Sequence, residues 1–169
     1  MSENDAVLTE VRGRVLLITL NRPDQMNAIN TDLAQGVLAA VEQLDGDDGL
    51  TAAVMTGAGR GFCSGMDLKA FATSGPPQGL GDFFEKGARK PIIAAIEGFA
   101  LAGGLEMALA CDLLVAADNV KFGITEAGVG LFAAGGALIR LPSRVGYMKA
   151  MEMALTADPI TTQEALSLG

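Results

Sequence analysis

The chain has no histidine, and that absence removes Ser-His-Asp and Cys-His catalysis together with every metal site that depends on imidazole. Cysteine is almost missing too. Cys63 and Cys111 are too few and too far apart in sequence for a disulfide framework or a redox motif, so both are expected to be reduced thiols. Nowhere do Lys and Arg gather into a run. With a formal net charge of −8, nucleic acid and anionic membrane are excluded as main partners, although local basic residues remain to hold an anionic ligand. The opening MSENDAVLTE has acids where a secretory leader has basic residues before an apolar stretch, and a cytoplasmic location is expected. Residues 92–117 form the longest apolar segment, but Glu97, Gly103-Gly104, Glu106 and Asp112 interrupt it. It reads as a buried strand, helix and strand rather than a membrane span.

What is present is enough apolar material for one well-buried domain across residues 1–169, since half of the side chains are hydrophobic. Two strands, 6–11 and 14–20, flank an Arg12-Gly13 turn, and the loop NRPDQMNAIN follows. Asn30 or Thr31 then caps a helix with Leu33, Val37, Leu38, Val41 and Leu44 on one face, stopped by GDDG at 46–49. A strand at 52–56 opens into the glycine-rich GAGRGFCSGMDL, followed by a polar, mobile stretch around Ser74-Gly75-Pro76-Pro77. Further on come a strand at 91–96, a connection over 97–102, a helix over 103–110 and a strand at 113–117. Helix-like sequence returns at 147–154, and Thr161 or Thr162 with Glu164 fits a capped helix start. The order defines an α/β domain.

Three kinds of chemistry compete for these residues. Gly57-Ala58-Gly59 and Gly128-Val129-Gly130 resemble dinucleotide fingerprints only weakly, because Phe62 takes the third position of the first and no apolar strand precedes the second. A nucleophile at Cys63 or Ser64 has no histidine to activate it; Ser64 needs a lysine such as Lys69, and two small side chains in a tight loop is the better reading. The glycine pair Gly103-Gly104 is the stronger signal. A helix starting there points unpaired N–H groups outward, and with a second donor from the loop CSGMD they make an oxyanion hole; close helix–sheet packing explains the glycines equally well. Glu106 tips the balance. An ionised Glu flanked by Leu105, Met107, Ala108 and Leu109 needs a reason to be there, and it lies one helical turn beyond Gly103. Glu126, in FGITEAG, supplies a second carboxylate, and two carboxylates near one electrophile can divide acid and base work. The alternatives are a salt bridge from Glu106 to Arg60, Lys69 or Arg140, and a solvated loop position for Glu126.

Taken together, LNRPDQMNAIN, GRGFCSGMDL, EGFALAGGLEMALACDLLVA, KFGITEAGVG and AAGGALIRLPSRVG resemble the enoyl-CoA hydratase/isomerase (crotonase) superfamily, in the family's order and from about Val15 onward. The resemblance implies an α/β crotonase-like spiral of β-β-α units, a homotrimer or hexamer, acyl-CoA thioester substrates, and no cofactor or metal beyond the CoA of the substrate. It places the oxyanion-hole N–H groups on Met66 and Gly103 and the two hydratase glutamates on Glu106 and Glu126. Met26, Ala28, Ser64, Asp67, Leu68 and Gly104 are expected along the CoA and thioester path. Both glutamates together imply a hydratase acting on 2-enoyl-CoA; an isomerase, a catalytically weak acyl-CoA-binding subunit and a Ser-Lys peptidase on the related spiral are the alternatives. Two departures stand out: Met66 replaces a smaller residue, and the C-terminal helical region of family members is not matched, which implies a shortened core.

Overall fold

The computed structural model describes residues 6–77 and 79–169; the acidic opening at 1–5 lies outside them. Along β2 (Val15–Leu20) the fully buried Leu16, Ile18 and Leu20 alternate with partly exposed neighbours, which places them on one face of a sheet. β1 (Val7–Arg12) pairs with β2 in an antiparallel hairpin whose turn residue Gly13 has φ +63°. β3 (Ala52–Gly57) and β4 (Ile92–Ile96) continue the sheet in parallel. Over β1 and β2 lies α1 (Thr31–Gly46). The Asn30 side chain accepts the Leu33 N–H at 3.0 Å, a cap worth about 1 kcal/mol. Leu33, Val37 and Leu44 are fully buried beneath the helix, and each contributes about 1.5–3 kcal/mol of apolar burial.

After β4 the chain alternates between two sheets. β5 (Phe99–Leu101) enters a small second sheet and leads into α4 (Gly103–Leu109); β6 (Leu113–Ala116) returns to the edge of the first, beside β4; β7 (Lys121–Gly123) joins β5 in the second. The β4-β5 and β6-β7 turns thus each send one strand to each sheet before a helical segment, as the β-β-α reading expected, whereas β1 and β2 lie together in the first sheet. The connection expected at 97–102 is a strand for part of its length, because β5 finds backbone partners in β7 and in Cys63.

The polar stretch expected around Ser74 holds two short helices instead, α2 (Leu68–Ser74) and α3 (Leu80–Lys86). Seven residues are too few to show a helical period, and such short helices need support beyond propensity: α3 buries Leu80 and Phe83, and α2 is capped by the Asp67 side chain, which accepts the Ala70 N–H. Downstream lie α5 (Ala137–Val145), α6 (Tyr147–Thr156), β8 (Ile160–Thr161) and α7 (Thr162–Leu168). Thr161 caps α7 with Glu164 in a reciprocal capping box. No helix among the described residues is long and apolar enough to cross a membrane.

One buried polar side chain ties the early loop to the glycine loop. Asn27 is fully buried with φ +53°, a left-handed conformation that Asn tolerates better than most residues. Its Nδ2 donates to the Ala58 and Gly61 carbonyls, both at 2.9 Å, and its Oδ1 accepts the Arg22 N–H at 2.8 Å. Beside it the Arg22 guanidinium donates to the Ala28 carbonyl and to Asp67 Oδ2. Asn27→Ala strands these backbone groups, and a loss of about 3 kcal/mol is expected in urea unfolding. A change under about 1 kcal/mol would show that water replaces the side chain.

Candidate active site

α4 begins at a backbone position that side chains rarely adopt. Ala102 has φ +49° and ψ −129°, strain of the kind that persists only where the surroundings impose it; its N–H donates to the Gly123 carbonyl at 2.8 Å. Across from it stands Gly65, φ +97°, where a Cβ would come within 2.7 Å of the Ala102 Cβ. Glycine is therefore what lets the loop close on the helix start. The Ile29 N–H donates to Gly65 O at 2.8 Å and the Asp67 N–H to Ile29 O at 3.0 Å, a short parallel bridge that turns the intervening Met66 N–H the other way. Met66 N lies 3.8 Å from the point where a Cβ on Gly103 would stand. Neither the Met66 nor the Gly103 N–H has a protein acceptor among the described residues.

Glu106 is 5% exposed, and its Oε1 accepts the Ala137 N–H at 3.1 Å. Burial pushes its carboxyl above the usual range, opposed by the N–H groups of Ala137 and Gly135 and by the Arg140 charge. Glu126 begins a 3-10 turn over residues 126–129 and is 9% exposed. Its Oε2 is buried without a hydrogen-bond partner among the described residues. Burial pushes this carboxyl up to about 7; its own backbone N–H opposes the rise, the Glu106 charge adds to it, and the Thr125 N–H opposes it. Burial thus raises both carboxyls against two backbone N–H donors each; they differ in the neighbouring charge, which is Arg140 beside Glu106 and the Glu106 carboxylate beside Glu126, so that Glu126 holds its proton toward neutral pH.

Met66, Gly103, Glu106 and Glu126 share the wall of one cavity of about 720 Å³, with Ser64 and Leu68 beside them. The remaining lining is mostly apolar. Phe71, Leu80 and Phe84 come from α2 and α3, and Val129, Leu131 and Phe132 from the segment after Glu126. None of these six was expected at the site from the sequence: the folded path of α2 and α3 brings the first three to the carboxylates, and the turn that begins at Glu126 brings the others.

Four expected contact residues stand off the cavity. Gly104 is buried against Cys63, whose backbone and Cβ fill the space a side chain would need, so the second glycine serves packing. Asp67 is engaged as the cap of α2, accepting the Ala70 N–H at 3.1 Å, and as the partner of Arg22. Met26 and Ala28 lie on the early loop outside the cavity wall, where Met26 O accepts the Ser64 N–H at 3.1 Å.

The nucleophile reading loses its geometry. Cys63 is fully buried with its thiol pushed up to about 12 by burial, far from the thiolate that reactivity needs. No hydrogen bond joins Ser64 to Lys69 among the described residues, where Lys69 is exposed. Glu106 forms no ion pair there either; Arg140 donates to backbone carbonyls instead. No cluster of three or more Cys, Asp or Glu among the described residues is placed to hold a metal ion.

Strands dealt in turn to two sheets, with a glycine loop folded against a helix start, make up the crotonase architecture. The solved enoyl-CoA hydratase of Mycobacterium tuberculosis matches it with a TM-score of 0.91 at 51% identity, over 98% of this chain and 67% of that one. A Mycobacterium abscessus structure described as a probable enoyl-CoA hydratase/isomerase gives 0.91 at 54% identity, over 98% and 66%. Among curated proteins, the M. tuberculosis enoyl-CoA hydratase EchA19 is 40% identical over 177 residues, 96% of this chain and 65% of its own length. Residues 10–169 match the enoyl-CoA hydratase/isomerase family, and the chain belongs to it. It spans about 65% of the length of such curated relatives.

Proposed function

We propose that this chain carries the hydration site for a 2-enoyl-CoA thioester. The observation that bears most weight is the pairing of two buried carboxyls beside unlike charges in a cavity whose wall includes Met66 and Gly103, whose N–H groups have no protein acceptor among the described residues. Those donors polarise the thioester carbonyl and hold the charge that gathers on its oxygen as water attacks. Glu106, as carboxylate, takes a proton from water while the hydroxyl bonds to Cβ; Glu126, as acid, gives its proton to Cα. The double bond becomes a single bond, and exchange with solvent returns each carboxyl to its starting state. Coenzyme A arrives with the substrate, and no further cofactor has a step to perform.

The trimeric or hexameric assembly that the family resemblance implies, and the cytoplasmic location, belong to the same proposal. Supporting assembly, Phe132, Ile139, Met148 and Leu155 stand exposed on and before the C-terminal helices, large apolar side chains that a subunit interface would cover. Sedimentation velocity is expected to give a trimer or a multiple of it, and a monomer at micromolar concentration would overturn the assembly.

The activity is tested by following the ultraviolet absorbance of crotonyl-CoA and of a longer 2-enoyl-CoA. Loss of absorbance with stoichiometric formation of the 3-hydroxyacyl-CoA is expected. Binding of both thioesters with no turnover would leave an acyl-CoA-binding subunit as the reading.

A further inference from the structure

The turn Gly135-Gly136-Ala137 lies between two charged side chains. On one side it meets Glu106: a Cβ on Gly135 would fall 2.6 Å from Glu106 Oε2, and the Ala137 N–H donates to Oε1. On the other it meets Arg140, whose Nη1 fills the space a Cβ on Gly136 would take. Gly136 also has φ +103°, so glycine is required there by conformation, and a side chain would displace the Arg140 guanidinium. The half-buried Arg140 donates from Nη2 to the Phe84 carbonyl and, at 3.5 Å, to that of Glu85, while Nη1 reaches the Gly135 carbonyl at 3.5 Å. Phe84 lines the cavity.

We propose that Arg140 is the positioning residue for Glu106: by tying the Gly135–Ala137 turn to the C-terminal carbonyls of α3, it fixes the N–H groups that hold the carboxylate in place. The planar fork suits this task, because its donors diverge toward carbonyls on different elements, which an ammonium on a flexible stem does not reproduce. Arg140 makes no ion pair with Glu106 among the described residues, so it acts through the turn and through its field. The charged groups facing Glu106 are Glu126 from the 3-10 turn and Arg140 from α5. On α3, Asp82, Glu85 and Lys86 are exposed, as is Arg144 on α5, and β5 carries no charge.

This inference rests on the hydratase reading for its kinetic test, and the variants are Arg140→Lys and Arg140→Met. Both are expected to lower kcat by about tenfold to a hundredfold, the scale of a misplaced reacting group, with KM held within about threefold. The acid limb of the kcat profile is expected to move to higher pH in Arg140→Met, because a cation that favours the carboxylate is gone, and less in Arg140→Lys. An unchanged kcat in a folded variant, or a loss carried wholly by KM, overturns the assignment. Should Arg140→Met fail to fold, Arg140→Lys, which keeps stem and charge, decides by the same kcat criterion. If the wild type hydrates no enoyl-CoA, the decisive readout is carbon-13 titration of the Glu106 carboxyl, identified against Glu106→Gln. An upward shift in the folded Arg140 variant supports positioning, and an unmoved titration overturns it independently of the activity.

Discussion

Glu106→Gln is expected to leave a folded chain that binds enoyl-CoA and hydrates it at least about a hundredfold more slowly, the scale of a lost general base. The amide has the shape of the carboxyl it replaces, and its oxygen can still accept the Ala137 N–H that now reaches Oε1 at 3.1 Å. What it cannot do is take a proton from water. Because the loss lies in the transition state, KM should stay within about threefold of wild type while kcat falls. Nor should the melting temperature drop, since the variant removes a charge that burial disfavours. Steady-state kinetics on protein of matched melting temperature checks both halves; a kcat within about threefold of wild type would sink the assignment of Glu106 as base.

Glu126→Gln is expected to cost at least about as much, a hundredfold or more, and to change the pH profile as well. In the wild type the hydration rate should fall as pH rises through about 7, where Glu126 loses the proton it delivers to Cα. Stability follows the same titration. The folded chain holds this proton more tightly than the unfolded chain, so the contribution of Glu126 is fully present below the unfolded value near 4.5 and is lost as pH rises through about 7. Above that, the wild type carries a buried carboxylate whose Oε2 has no partner among the described residues. Glu126→Gln should therefore melt about 2–4 °C higher than wild type at pH 8, corresponding to roughly 1 kcal/mol after allowance for the water-facing cavity. At pH 4, below the unfolded value near 4.5, the difference should vanish. Equal melting temperatures at pH 8 would mean that water or a nearby donor satisfies Oε2 in solution.

Local chemistry was the legible part of the sequence. Asn30 and Thr161 cap their helices as expected because a cap is decided within a few residues. Glu106 stood out because a carboxylate inside an apolar helix conflicts with its neighbours, and that conflict is visible without coordinates. Gly103-Gly104 admitted two explanations, and the structure divides them by residue: Gly103 faces the cavity and Gly104 packs on Cys63. The burial of Glu126 was not legible, since a loop glutamate becomes 9% exposed only when distant segments close around it. For the same reason Gly135 and Gly136 were visible as a pair while their reasons were not. One glycine clears a carboxylate on α4 and the other a guanidinium one turn further along α5. The two short helices escaped notice because seven residues carry no helical pattern of their own; α3 rests on the burial of Leu80 and Phe83, and α2 starts from the Asp67 cap.

In the proposed hydration site the polarising donors, the Met66 and Gly103 N–H groups, are main-chain atoms, and this separates what such a site inherits from what it is free to vary. Any residue except proline presents the same N–H at position 66, so mutation there alters the cavity wall while leaving the polarising half of the chemistry intact. A lineage built on this architecture can drift in the thioesters it accepts without first losing the means to activate them. Replacing side chains one at a time would also pass over the atoms to which the proposal gives the activating role.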